Sequence, residues 1–391
     1  MNAWLNDLAL VSALGADTSA HLDALSGEQR SGLAQVAGLD NEGMTPYLGQ
    51  VANLPLDSSG RNNAMIDLAL AQLTNTLDKL RSRVAAHRIA VIIGTSTADI
   101  YDGERARAQQ ARHGSWPKHY HYHQQSLDAP AQYISNKLAL EGPCYSISTA
   151  CSSSSKALSS AKAMLQAGLA DAVICGGADS LCQLTVNGFK ALASTSAGIC
   201  QPFAQQRDGI NIGEGVGLFI MTRSADFGSA RCALLGCGSS SDAYHMSAPE
   251  PQGKGAIAAM HQALAEAALT ATDIDYINAH GTATVKNDAM EARAIADVIG
   301  AQTPVSSSKH LTGHTLGAAG AIEAGLCWLL IEQQRLGKTL TLPYHSGYAL
   351  DASLATINLV QQPTRERPKT CMSNSFAFGG NNASIIIGEI A

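Results

Sequence analysis

The chain has 391 residues and a formal net charge of −6. This acidic balance excludes a protein that holds nucleic acid through bulk positive charge, because neutralising phosphates requires a basic surface. Hydrophobic residues make up 46% of the chain and charged residues 15%, so it can bury a large core and does not belong to the disordered class. Only 5% of the residues are aromatic while Gly numbers 36, which predicts a core of small aliphatic side chains, as in α/β architectures.

The sequence pattern contains neither a membrane span nor an export signal. No run approaches the roughly 18 apolar residues of a transmembrane helix, and the apolar N-terminal stretch is not preceded by Lys or Arg, as in a signal peptide. Nine cysteines without a Cys-x-x-Cys pair indicate free thiols in a reducing compartment. We therefore expect a cytoplasmic protein.

Hydrophobic periodicity predicts strands that alternate with helices in two similar halves. In the first half we expect a helix at 62–80, a strand at 89–94, a polar excursion at 101–125, a strand at 144–149, a helix at about 150–168, a strand at 171–177 and a strand–turn–strand unit at 209–222. In the second half we expect a helix at 254–269, strands at 275–282 and 304–309, a helix at 311–331 and a strand–turn–strand unit at 371–389. The repeated order predicts an internal duplication with a mostly parallel sheet in each half.

A candidate nucleophile lies at the first predicted junction between a strand and a helix rich in small residues. Cys151 follows the predicted strand 144–149 within Ser-Thr-Ala-Cys-Ser-Ser. At the start of a helix the helix dipole favours the thiolate form of a cysteine. The alternative is a buried cysteine that acts only as a small hydrophobic side chain.

Three further segments of the second half place polar groups at comparable positions. His280 ends a predicted strand, Lys309 and His314 flank a turn, and the segment 374–380 is a glycine turn whose amides could bind an oxyanion. His314 occupies in the second copy the place that Cys151 has in the first, so a pseudo-two-fold axis would bring them together. A single histidine of this kind is more often structural than catalytic.

One cysteine, two histidines and one lysine at such junctions predict a site built around a nucleophilic thiol. A cysteine hydrolase is the first alternative, since Cys-His arrangements also serve proteases and amidases. A metal centre is the second, but the spacings match no zinc signature and Lys309 would repel a cation. We therefore expect no metal.

Five segments carry a resemblance to a known family: STACSSS, NAHGTAT, SSKHLTGHTLGAAGAIEA, RDGINIGEG and SNSFAFGGNNAS. In their order along the chain they resemble the segments of the β-ketoacyl-acyl carrier protein synthases of the thiolase superfamily, in their elongating Cys-His-His branch, and this resemblance runs from about residue 88 to the C-terminus. The resemblance implies a thiolase-like α/β fold with duplicated βαβαβαββ halves in a five-layered αβαβα arrangement. Residues 1–240 would form the half with the nucleophilic cysteine, and residues 241–391 the half with the histidines and the lysine.

The activity implied by the resemblance is a decarboxylative Claisen condensation of an acyl thioester with malonyl-acyl carrier protein, in fatty acid or polyketide elongation. Cys151 matches the nucleophile of the family, and the amides of Cys151 and Phe378 match its oxyanion hole. His280 and His314 match the imidazoles that donate hydrogen bonds to the enolate, with a water activated at one of them as an alternative. Lys309 matches the family lysine.

The resemblance also assigns supporting residues. Glu291 and Glu323 match acidic positions near the lysine, and Thr282 and Thr284 match hydroxyls that contact the phosphopantetheine arm. No resident cofactor is expected, because this arm arrives on the carrier protein. Phe376 and Phe378 match the aromatic residues of a gating loop, although Phe376 could equally belong to the core.

At two positions the sequence differs from the family pattern, and two segments indicate which group of the family it resembles most. Val285 stands where the family often has Pro, and Ala204 where it has an acid. The segments 176–189 and 207–215 resemble most the synthases of aryl polyene clusters, which implies an aryl or polyenoyl primer. The expected partners are an acyl carrier protein and a second subunit, in a homodimer or in a heterodimer with a chain-length factor. The alternative is that this chain is itself a non-catalytic subunit like a chain-length factor, although such subunits usually lack the nucleophile.

Two surface features are left open by the sequence. If the segment 119–123 is extended, its three histidines, His119, His121 and His123, lie on one face. The segment could then form a metal site, or it could be a solvated or subunit-facing loop. An acidic carrier protein needs a local basic dock, and the candidate cluster consists of Lys79, Arg81, Arg83 and Arg88. The alternative for that cluster is a solvated helix end.

Overall fold

Two sets of strands, one from each half of the chain, dominate the computed structural model, which describes residues 3–55, 60–228 and 230–390. The first half contains β1 (Ala3–Val11), α1 (Thr18–Ser26), β2 (Ala34–Gln35), β3 (Tyr47–Leu48), α2 (Arg61–Gln72), α3 (Thr74–Arg83), β4 (Ile89–Gly94), α4 (Ile100–His113), α5 (Ala129–Lys137), β5 (Cys144–Ile147), α6 (Ser153–Gln166), β6 (Ala172–Asp179), α7 (Gln183–Ala191) and β7 (Gly215–Thr222). The second half contains β8 (Cys232–Ser241), α8 (Lys254–Ala267), β9 (Tyr276–Asn278), α9 (Val285–Val298), β10 (Pro304–Ser306), α10 (Lys309–Thr312), α11 (Ala319–Glu332), β11 (Asn358–Leu359), β12 (Thr370–Phe376) and β13 (Asn381–Glu389).

The strand topology repeats between the halves. Among the described residues, the main sheet has the order β11-β10-β9-β12-β13-β8-β1-β7-β6-β4-β5. In the first half β4 runs parallel to β5 and β6, while β6–β7 and β7–β1 are antiparallel. In the second half β9 runs parallel to β10 and β12, while β12–β13 and β13–β8 are antiparallel. The predicted internal duplication is therefore confirmed.

Helices cover the outer faces of the two sets of strands and also lie between these sets. One outer core packs α2, α3 and α5 against the first-half strands, and another packs α8 and α9 against the second-half strands. The central core lies around α6 and α11 and takes side chains from both halves. This is the predicted five-layered αβαβα arrangement of a thiolase-like α/β fold.

The division at residue 240 stays a prediction. Strand β8 ends at Ser241 and pairs along its length with β13 of the second half. The halves are joined in one sheet where Ala3 and Trp4 of β1 pair with β8. Among the described residues, no helix is long and apolar enough to cross a membrane.

The small residues of α6 and α11 allow these two helices to touch closely. Ser154 of α6 accepts a hydrogen bond from the backbone N–H of Ala321 in α11 at 2.9 Å. A methyl group at Gly320 would lie 2.1 Å from the hydroxyl oxygen of Ser155. At Gly94 it would lie 2.3 Å from the backbone nitrogen of Ser154. The serine, alanine and glycine pattern is therefore required by the contact of the helices with each other and with β4.

Four predicted elements differ from the structure. The helix expected at 62–80 is two helices, because the backbone at Leu73 (φ −91°, ψ 0°) leaves the helical range. The polar excursion at 101–125 contains α4. The unit at 209–222 has only β7 as a strand, while 209–214 forms isolated bridges. The helix at 311–331 is interrupted by Gly313 (φ +73°) and Leu316 (φ +51°), so His314 lies in a connecting segment.

The contact between α6 and α11 generates a stability prediction. The substitution Gly320→Ala forces a Cβ atom against Ser155 and should lower the free energy of unfolding by about 1–3 kcal/mol, the usual cost of overpacking. Gly188→Ala in α7 is the matched control, because nothing lies within 4 Å of its added methyl group. In a helix this control should raise the free energy by up to about 1 kcal/mol. Denaturant unfolding measures both, and equal effects of the two substitutions would contradict the close packing.

Candidate active site

Cys151 lies in a tight turn between β5 and α6. Ala150 has a left-handed backbone (φ +52°), and the hydroxyl of Ser153 donates to the Ala150 carbonyl at 2.6 Å and accepts the Thr149 N–H at 2.9 Å. These bonds fix the turn so that the sulfur of Cys151, 4% exposed, lies beside the N-terminus of α6. The structure thus places Cys151 at the predicted junction.

His314 is brought to Cys151 from the other half of the chain. Its Nε2 lies 3.0 Å from the sulfur of Cys151. Its backbone N–H donates to the carbonyl of Asn211 at 2.7 Å, and its carbonyl accepts the N–H of Gly213 at 2.9 Å. The segment 211–213 of the first half therefore holds the histidine of the second half in place.

His280 completes a buried group with His314 and Lys309. The two imidazole rings meet edge to face, with centroids 5.2 Å apart. Lys309 places its Nζ 3.3 Å from Nδ1 of His280 and forms an ion pair with Glu323. The backbone N–H groups of His280 and Gly281 each donate to an oxygen of Glu291 at 2.7 Å, which orients the turn that carries His280.

Burial controls the proton affinity of these groups. It raises the pKa of the Cys151 thiol to about 11, against the opposing effects of the Lys309 charge and of the backbone amides of Phe378 and Cys151. Burial and then the Lys309 charge hold the pKa values of His280 and His314 well below 6.5. At neutral pH the free site therefore contains a thiol and neutral imidazoles. Burial therefore opposes the thiolate form that the start of a helix favours, and it has the largest effect on the pKa of this thiol.

The two glutamates are buried as well. Burial raises the pKa of Glu291 to about 7, although both of its oxygens accept backbone N–H groups. Burial also raises the pKa of Glu323, while Lys309 opposes this shift. Because a lone buried ammonium is costly, the ion pair with Glu323 makes the charge of Lys309 tolerable inside the site.

The glycine turn between β12 and β13 lies over the cysteine. The amides of Phe378 and Cys151 both stabilise negative charge on the sulfur, so the predicted oxyanion donors lie on the same side of the site. Phe376 is buried, with its ring 6.4 Å from that of His280. Phe378 is half-buried, and its ring lies 5.6 Å from that of Phe189. Phe376 thus belongs both to the site and to the second-half core.

A surface cavity of about 230 Å³ lies next to this turn. Thr284, Val285, Lys286 and Phe378 contribute to its lining. The hydroxyls of Thr282 and Thr284 are 2.9 Å apart. The structure therefore places Thr284 at an opening beside Phe378, while Thr282 is buried and hydrogen-bonded to Thr284.

The site contains three side chains of types that can bind a metal ion. The ligand atoms of Cys151, His280 and His314 all lie within 4.8 Å of one another, and the described part of the chain holds no other such group. The ammonium of Lys309, 3.3 Å from Nδ1 of His280, opposes a cation there. A hydrogen-bonded thiol and imidazole fit this donor set better than a resident metal does.

The His119–His123 segment is not extended. Residues Tyr122–Gln125 form a short 3₁₀ turn, and the rings of His121 and His123 stack at 4.9 Å. The segment is largely exposed and forms no metal-ligating group within the described residues. The segment therefore lacks the extended backbone that would place the three histidines on one face, and its exposure agrees with the alternative of a solvated loop.

The basic cluster predicted to dock the carrier protein has two members with partners in the chain and two exposed members. Arg88 pairs with Asp171 at 2.9 Å and also donates to the Gly168 carbonyl. Arg83 lies over the ring of Phe227 at 5.8 Å. Lys79 and Arg81 are exposed on α3. The role of the cluster in docking stays a prediction.

Two residues that hold the site together, Asp179 and Asn211, were not predicted from the sequence. The buried carboxylate of Asp179 accepts hydrogen bonds from Thr95, Ser96 and Thr97 of one half and from the N–H of Gly317 of the other. Asn211, which holds His314, also accepts the N–H of Cys200 at 2.6 Å. Both residues lie within segments that carried the resemblance, but nothing in the sequence pointed to their partners.

Two domain models of one protein family match this chain. The model described as "Beta-ketoacyl synthase, N-terminal domain" matches residues 55–226, and the model "Beta-ketoacyl synthase, C-terminal domain" matches residues 231–342. The chain is 37% identical over 279 residues to 3-oxoacyl-[acyl-carrier-protein] synthase 2 of Rhizobium meliloti (strain 1021), which covers 67% of this chain and 64% of that protein. It is 31% identical over 315 residues to Nodulation protein E of the same strain, covering 78% of this chain and 71% of that protein.

A solved structure is similar over the whole chain. A chain of the complex between the ketosynthase ApeO and its chain length factor ApeC, from Xenorhabdus doucetiae, is 43% identical with a TM-score of 0.93. The alignment covers 100% of this chain and 98% of that chain. With both domain models matched and a relative that is 31% identical over 78% of this chain, this chain belongs to the β-ketoacyl synthase family.

Proposed function

We propose that the protein is an acyltransferase that joins an acyl group to malonyl-acyl carrier protein, with loss of carbon dioxide, to give a β-ketoacyl-acyl carrier protein. The observation that carries this proposal is the buried contact between the Cys151 thiol and Nε2 of His314 at 3.0 Å, with His280 and Lys309 beside it. In a thiol–imidazole pair the sulfur can attack an acyl thioester while the imidazole takes up the thiol proton. A second neutral imidazole can donate a hydrogen bond to the oxygen of an enolate.

In the first half-reaction the sulfur of Cys151 attacks the carbonyl carbon of the incoming acyl thioester. The thiol proton passes through Nε2 of His314 to the departing pantetheine thiolate, while the new thioester forms and the old one breaks. The amides of Cys151 and Phe378 stabilise the tetrahedral oxyanion. Removing one such donor commonly costs about 10²–10³ in rate.

In the second half-reaction the malonyl group loses carbon dioxide, and the electrons of the broken carbon–carbon bond form an enolate on the thioester. The ammonium of Lys309 donates to Nδ1 of His280, so the proton of that neutral ring is on Nε2. The Nε2–H of His280 and the ring of His314 can then stabilise the enolate oxygen. The enolate carbon attacks the acyl thioester, and Cys151 leaves as a thiolate that regains a proton.

The carrier protein would deliver its phosphopantetheine arm through the cavity beside Phe378. Thr282 and Thr284 offer hydroxyls to the amides of the arm, and Lys286 provides a positive charge at the opening for an acidic carrier. No resident cofactor is needed, because the arm holds both substrates. The unpaired state of the nine cysteines supports a cytoplasmic location.

We place the substrate in the aryl or polyenoyl class and the protein in a dimer with a second subunit of ketosynthase fold. The segments 176–189 and 207–215 support the substrate class. The identity of 43% to a chain of a ketosynthase–chain length factor complex supports a heterodimer over a homodimer. The presence of Cys151 supports the catalytic role over that of the chain-length factor.

The nucleophile is tested by the intact mass of the purified protein after exposure to saturated, polyenoyl and aryl acyl-carrier proteins. We expect one acyl adduct on the wild type and none on the matched variant Cys151→Ala. Preference for the aryl or polyenoyl donor would support the proposed substrate class. No adduct from any donor, with folded protein, would contradict catalysis by this chain on its own and would direct the search to a missing partner subunit.

The raised pKa of Cys151 predicts the pH dependence of alkylation. Iodoacetamide reacts with the thiolate, and with a pKa of about 11 the thiolate fraction grows as the pH rises. The rate at Cys151 should therefore increase about tenfold per pH unit between pH 7 and pH 9. Mass spectrometry of the Cys151 peptide separates this rate from those of the other cysteines. A plateau reached below pH 8 would contradict a buried neutral thiol.

A further inference from the structure

The side chain of His345 lies where β10 leaves the sheet. The ladder between β9 and β10 reaches Ser306, whose carbonyl accepts the N–H of Ala279 at 2.9 Å. Beyond it, the N–H of Ser307 donates to Nε2 of His345 at 2.9 Å. The carbonyl of Val360, just past β11, accepts the backbone N–H of His345 at 2.8 Å. The imidazole therefore replaces the neighbouring strand as the partner of Ser307.

The hydrogen bonds of this imidazole allow one tautomer. A backbone N–H can only donate, so Nε2 carries no proton and Nδ1 carries one. Nδ1 lies 2.7 Å from the hydroxyl oxygen of Tyr348 and donates to it, and this hydroxyl donates to the carbonyl of Pro202 at 3.2 Å. The side chain of His345 is 2% exposed. Each polar atom in this buried chain therefore has a partner, and the ring has a fixed orientation.

Ser307 connects this imidazole to the two residues of the second half-reaction. Its hydroxyl donates to the carbonyl of Gly281 at 2.8 Å, directly after His280. The same oxygen accepts the N–H of Lys309 at 3.2 Å. Ser307 thus spans the turn that carries His280 and the start of α10 that carries Lys309.

We infer that His345 is a positioning residue that fixes Ser307 and, through it, the spacing between His280 and Lys309. This inference rests on the proposed function, because it concerns the residues assigned to decarboxylation. Cys151 and His314 are held by other contacts, those of Ser153 and of the segment 211–213. Loss of the imidazole should therefore disturb decarboxylation more than acyl transfer.

The test compares His345→Asn with His345→Gln. The Asn amide reaches the place of Nδ1 but not that of Nε2, so it leaves the N–H of Ser307 without a partner. The oxygen of Gln reaches the place of Nε2 and can accept that N–H. Two rates are measured for the full chain: acyl transfer to Cys151 and carbon dioxide release from malonyl-carrier protein.

For His345→Asn we expect carbon dioxide release to fall by about 10–100-fold, since a misplacement of about 1 Å can cost 10²-fold, while acyl transfer changes by less than about threefold. His345→Gln should recover most of the loss. Tyr348→Phe, which removes the acceptor of Nδ1–H, gives a second and milder perturbation in the same direction. Should His345→Asn fail to fold, this variant and His345→Gln still provide the ratio of the two rates.

Equal loss of both rates in these variants would overturn the inference, because it would show a structural role without selective positioning. Full activity with an unchanged ratio in His345→Asn, or in Tyr348→Phe where His345→Asn does not fold, would overturn it as well. Failure of the proposed function has a different signature, since the wild type itself would then show neither acyl transfer nor carbon dioxide release.

Discussion

The close contact between α6 and α11 is the constraint on which the site depends. Helix α6 begins just after Cys151, and α11 begins shortly after His314. Only small residues at the contact allow the N-termini of these two helices to lie side by side. Ser154, Ser155 and Gly320 are small because the backbones touch there. The result is that the sulfur of Cys151 and the imidazole of His314, which are 163 positions apart in the chain, lie within hydrogen-bond distance.

The second determinant is the positive charge of a lysine that is buried within the site. Lys309 is 1% exposed and is tolerated because Glu323 pairs with it. Its field lowers the proton affinity of His280 and His314 and opposes a bound cation. Burial and then this ammonium account for the neutral state of both rings, and the ammonium also sets the tautomer of His280. Burial has a larger effect than any one contact and keeps the thiol of Cys151 protonated in the free protein.

Much of the fold and of the site was predictable from the sequence, because strand runs, glycine turns and small-residue helices leave a local signal. Cys151, His280, Lys309 and His314 could be found by their positions at strand ends. The break at Leu73 and the interrupted helix before Ala319 could not, since both depend on packing and backbone strain within the folded chain. Asp179, Asn211 and His345 were also missed, because their partners are distant in sequence and their roles follow from tertiary hydrogen bonds.

The central claim is that condensation and loss of carbon dioxide are coupled at one cysteine. The most direct measurement uses malonyl-carrier protein with ¹³C in its free carboxyl group, together with an acyl-carrier protein. The account predicts one labelled carbon dioxide for each β-ketoacyl product and no label in that product. A product that retains the label, or labelled carbon dioxide released without any condensation product while Cys151 is acylated, would contradict it.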